Sequence, residues 1–105
     1  MAVVRSPLSN KAQQQAAAEQ IAVAALAFLA AESERFARFL EVTGFTVESI
    51  RTAAQEPGFL VGVLDHFASD EALLLAFAAG HEMDPADVLA ARNLLAGPYR
   101  ERDAP

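Results

Sequence analysis

Two histidines and fourteen carboxylates are the residues of this chain best equipped for chemistry, because no cysteine is present to serve as a thiolate or a soft metal ligand. His81-Glu82 has the opening of a zinc-protease motif, but the motif needs a second histidine four residues after the first, and that position is Pro85. His66 lies in a different predicted helix beside Asp65. A metal site would have to gather His66, His81 and carboxylates such as Asp70 or Glu82 from separate segments, so both histidines are read as partly exposed structural residues and no metal ligand is assigned. Nucleophilic catalysis lacks its parts as well: there is no G-x-S-x-G elbow and no serine with a histidine partner in sequence. Glycine-rich phosphate loops are absent. No catalytic residue, no cofactor and no enzymatic activity are expected.

Two charged residues stand apart from the solvated faces. Asp65 falls at the edge of an apolar stripe, and Arg92 at the edge of the Val88, Ala91, Leu95 stripe, so each is placed to reach a partner across a helix crossing. A structural ion pair or a carbonyl cap is the expected use of Arg92, ahead of a functional one.

These residues must be positioned by helices. Twenty-four alanines, arginine in preference to lysine and few β-branched residues favour helix, and no period-two pattern occurs. Asn10 with Gln13 fits an N-cap opening a first helix to about Ala30, apolar nearly all round and therefore central. Ser33 caps a second, with Phe36, Phe39 and Leu40 on one face, ended by Gly44. Thr46 starts a third, with Phe45 and Ile50 as a hydrophobic staple. After the Glu56-Pro57-Gly58 break, with Pro57 suited to a first helical position, Phe59, Leu60, Val63, Leu64 and Phe67 form the clearest buried stripe. Ser69 or Asp70 caps a fifth helix ending at Gly80. Asp84-Pro85 opens a sixth, with Met83 and Val88 as staple, that stops at Gly97-Pro98.

Short helices on short connections cross steeply, so the expected fold is all-α, a compact orthogonal bundle of about six helices centred on the first and fourth. The second and third helices align faintly with the fifth and sixth, as a pseudo-repeat of two helix-turn-helix units would. The 105 residues suit one domain over residues 10–99, between an N-terminal arm, 1–9, and a frayed tail, 100–105. The longest uncharged apolar stretch, Ile21 to Ala31, is shorter than the roughly 18 to 20 residues a membrane span requires. With no signal-peptide pattern at the start, the expected setting is the cytoplasm.

The net charge of −6 disfavours nucleic acid and anionic membranes. A DNA-binding helix-turn-helix in the fifth and sixth helices is the runner-up function, since Ala76 stands four residues before Gly80. Its reading helix would offer Arg92 and Asn93 but also Asp84 and Asp87. The leading expectation comes from an apolar surplus. Phe59, Leu60 and Tyr99 flank breaks, while Val23 and Leu75 lie off their helices' main stripes. A non-catalytic protein–protein interaction domain, adaptor or regulatory, follows, with Phe59, Leu60, Tyr99 and Arg92 as candidate partner-binding residues and a protein partner or self-association as its occupant.

From about Leu26 to Pro98 the chain resembles an uncharacterised family of small helical proteins, a domain of unknown function associated with alphaproteobacteria. The resemblance rests on Arg38-Phe39-Leu40 with Thr43-Gly44, Glu56-Pro57-Gly58-Phe59-Leu60, Val63-Leu64-Asp65-His66, Asp70-Glu71-Ala72-Leu73-Leu74, Asp84-Pro85, and Ala91-Arg92 before Gly97-Pro98. The chain departs from that pattern at Glu82, where the resemblance implies glycine. It implies no catalytic residue, cofactor or substrate, and adds a signalling protein as a candidate partner.

Overall fold

A computed structural model describes the backbone of residues 7–56 and 58–103 and the side chains of 12–56 and 58–97. Its elements are α1 (Pro7–Ala30), α2 (Ser33–Thr43), α3 (Val47–Ala53), α4 (Phe59–Ala68), α5 (Glu71–Gly80) and α6 (Pro85–Asp103), with no strand among the described residues. The fold is all-α, as the composition requires.

Three of the helix starts rest on side-chain caps that the sequence announces. Thr46 Oγ1 accepts from the Ser49 N–H at 3.0 Å while Ser49 Oγ accepts from the Thr46 N–H at 2.9 Å, a reciprocal capping box. Asp70 accepts from the Leu73 N–H at 3.2 Å, and Asp84 from the Ala86 N–H at 2.9 Å. Other boundaries move. The helix α1 begins at Pro7, not Asn10, because a proline in the first turn gives up only an N–H that has no helical acceptor. At α2 the cap position is Glu32, extended and without a side-chain cap bond, and Ser33 is already helical. Gly44 closes α2 in the left-handed conformation (φ 85°), its N–H donating to the Leu40 carbonyl at 2.8 Å. Pro57 lies outside the described residues, and α4 starts after it. The largest difference is α6, whose backbone continues through Gly97-Pro98 to Asp103. An interior proline costs a helix one ladder bond and crowds the preceding turn, so Gly97-Pro98 states a preference to stop that this backbone overrides.

The core forms on α1, α4 and α6, which pack mutually; α2 adds to α1, and α5 to α4 and α6. The helix α1 presents Ala18, Ala22, Ala25 and Leu29, an i, i+4, i+7, i+11 stripe of mostly small side chains that lets neighbouring backbones come close. From α4 come Phe59, Val63, Leu64 and Phe67, from α5 Leu74, Phe77 and Ala78, and from α6 Val88, Ala91 and Ala96. The axes of α1 and α2 meet at 113°, the steep crossing expected of short connections. The two helix-turn-helix units are not equivalent in place: α3 buries no residue fully, whereas α6 is central. No single described helix is long and apolar enough to cross a membrane.

All seven phenylalanines belong to one chain of ring contacts. One group, Phe36, Phe39, Phe45 and Phe59, spans α2 to the start of α4. The other, Phe28, Phe67 and Phe77, ties α1, α4 and α5. Among the described residues they are joined through His66, which stands edge-on to Phe39 at 5.1 Å and to Phe67 at 6.2 Å.

Candidate functional site

The chemistry-bearing side chains gather on one side of α4. His66 sits on the same turn as the core residues Val63 and Phe67, so the helix carries it inward, where only 6% of its surface remains exposed. Its Nδ1 is buried and has no hydrogen-bond partner among the described residues. Burial is the largest influence on the ring and lowers its pKa from the ordinary 6.5; the nearby Asp70 carboxylate opposes this and the Arg38 guanidinium adds to it. Two shallow cavities share His66, Val42 and Ser69 in their walls. One, about 510 Å³, continues to Asp65 and Arg92; the other, about 390 Å³, continues to Arg38, Asp70 and Glu71.

Asp65 and Arg92, the two stripe-edge charges, meet across the α4–α6 crossing: Arg92 Nε donates to Asp65 Oδ1 at 2.5 Å and Nη1 to Asn93 Oδ1 at 3.0 Å. The arginine is thereby committed to a structural pair and is a poor reader of phosphate or base edges. His81 is held away from this cluster. Because a carbonyl can only accept, its Nδ1 donates to the Phe77 oxygen at 3.2 Å, and its ring lies on Phe77 at 4.5 Å, closing the end of α5. Among the described residues no three of His, Asp and Glu are placed to share a metal ion.

An apolar groove runs between α1 and α6. Ala17, Ala18 and Ile21 form one wall, and Met83, Ala90, Ala91 and Leu94 the other, enclosing about 500 Å³ with Gln14 and Asp87 as its polar residues. Sequence reasoning missed this groove, because nothing in either helix's own period says that their alanine faces adjoin. The residues expected to contact a partner do not assemble it. Phe59 is 6% exposed and packs on Phe45 at 5.9 Å, since the residue after a break here is the first of a buried stripe. Leu60 is half-buried against the core, Arg92 is paired, and the side chain of Tyr99 lies outside the described residues. Val23 and Leu75, placed off their stripes, are exposed at 54% and 47%.

The family model described as a protein of unknown function (DUF3572) matches residues 15–98. No curated protein and no solved structure matches the chain.

Proposed function

The chain belongs to the DUF3572 family of proteins of unknown function, and we propose that it is a non-catalytic interaction domain that receives an apolar helix of a partner protein between α1 and α6. The open, alanine-floored groove carries this proposal. Small residues on both walls leave room for a helix to lie close to the α1 and α6 backbones, as in helix-in-groove recognition, where anchors at i, i+3 or i+4, and i+7 supply the contact. Electrostatics favours a basic partner over a second copy. The chain carries −6 and, among the described residues, the groove contributes Asp87 and no basic side chain, so self-association brings like charges together. An acidic, cysteine-free domain of this kind suits a cytoplasmic setting.

Ala90 lines the groove and is exposed, so Ala90→Glu adds a charge there without entering the core. Affinity capture with the wild-type chain and A90E, compared by mass spectrometry, is expected to retain a protein partner on the former that is lost on the latter, with both chains monomeric by light scattering. Identical protein recovery by the two, or recovery of nucleic acid alone, would overturn the proposal.

A further inference from the structure

Among the described residues His66 is the one buried polar or charged side chain. It is 6% exposed, its Nδ1 has no partner among them, and its ring joins the aromatic group of α2 to that of α1, α4 and α5. A neutral imidazole carries a donor on one nitrogen and a lone pair on the other, so the buried Nδ1 is best left as the lone pair. Protonation puts a hydrogen there, and a buried donor without an acceptor costs more than an unused lone pair.

We propose that His66 is a proton-operated latch on α2, whose neutral ring holds Phe39 against α4 and whose protonation in mildly acidic solution releases α2 and merges the two cavities that share the ring.

The surroundings decide the sign. From α2 the charged group facing His66 is Arg38, which opposes a second positive charge and forms no ion pair among the described residues. From the start of α5 come Asp70 and Glu71, of which Asp70 acts on the ring and favours the charged form. On α4 itself Asp65 is engaged by Arg92 of α6, so that pair brings little net charge to the cavity. Among the described residues no charged group of α1 or α3 lines either cavity. Desolvation outweighs Asp70, and the ring stays neutral at pH 7.

The element that yields is α2 because, outside its packing on α1, where the Arg35 guanidinium lies 4.1 Å from the Phe28 ring, its hold on α4 rests on Phe39. Phe39 is its only fully buried residue; Phe36 and Leu40 are partly exposed. The helices α1, α4 and α6 keep their own mutual core whether α2 is docked or not.

Hydrogen exchange of the full chain, corrected for intrinsic rates, tests this directly between pH 7.5 and 5.5. Amides of α2 are expected to lose protection relative to α1 and α6 as the pH falls, by up to about tenfold for each unit by which the ring's pKa lies below its unfolded value. The pH dependence should vanish in His66→Gln, which cannot titrate. In Asp70→Asn, whose side chain still caps α5, release should begin at lower pH. NMR titration of the His66 ring in the wild-type chain serves as a second measurement should H66Q not fold. A ring titrating at or above 6.5, unchanged relative protection of α2, or the same pH dependence in H66Q would overturn the latch.

Discussion

Glu82 has φ of 52°, the one described residue other than glycine in the left-handed region. The turn from α5 to α6 imposes this conformation: the Met83 N–H reaches back to the Ala78 carbonyl at 2.8 Å and the Glu82 N–H to that of Ala79 at 3.2 Å, a reversal that only a left-handed residue completes. A glycine would suit this backbone better, because a Cβ in this region is strained by about 1 kcal/mol. Glu82→Gly is expected to stabilise the chain by about 0.5 kcal/mol, the relieved strain being partly offset by glycine's greater entropy when unfolded, and urea denaturation would show it. Loss of stability would mean that the Glu82 side chain contributes more than its backbone costs. A second residue-scale expectation concerns Asp65 and Arg92. Their side chains retain 49% and 21% exposure, so a double-mutant cycle with D65N and R92Q should return a coupling of about 0.5–1 kcal/mol that shrinks with added salt. That each reaches a partner was legible from its place at a stripe edge; that they reach one another was not, because the sequence leaves Arg92 an ion pair or a carbonyl cap and does not say which helices cross. The burial of His66 was less legible, because it lies at the edge of the stripe beside Phe59 and Val63, and the cover over that edge comes from Phe39 of α2.

At the scale of elements, what could be read followed local chemistry, and what could not depended on partners. The capping box at Thr46 and the caps at Asp70 and Asp84 involve residues two or three positions apart, so their spacing is visible in the chain itself. The start of α1 and the continuation of α6 past Gly97-Pro98 are different, since punctuation residues state a preference that neighbouring turns can override. The close approach of α1 to its neighbours was hidden for another reason: alanine is both a good helix former and a good interface residue, and one property masks the other in composition. Ala22 and Ala25 have no exposed surface. Replacing Ala22 with leucine should therefore cost about 1–3 kcal/mol by overpacking, despite leucine's high helix propensity. Val23→Leu on the exposed side of the same helix should stay within about 0.5 kcal/mol. Thermal melts of the pair separate packing from propensity; equal effects would place the α1 interface elsewhere.

For the whole molecule, the latch at His66 has a thermodynamic counterpart in global stability. The ring's folded pKa lies below its unfolded value of 6.5, so between the two the unfolded chain binds a proton that the folded chain refuses. Stability therefore rises with pH across that window. It is fully present above 6.5, declines as the pH falls, and levels off below the folded pKa. Most carboxylates exchange protons lower on the scale, so they contribute little between 7.5 and 5.5, where the shifted His66 ring acts. One unit below 6.5 limits the contribution of a single ring to about 1.4 kcal/mol. Urea denaturation at the two pH values should accordingly show the wild-type chain weaker at 5.5 by up to that amount, and His66→Gln nearly indifferent. This separates two possibilities that structure alone merges. If α2 opens while α1, α4 and α6 hold, exchange in α2 should respond to acid more steeply than the global unfolding free energy does. If the fold yields as one unit, the two slopes should coincide, and His66 would be a pH-dependent contributor to core stability without being a latch.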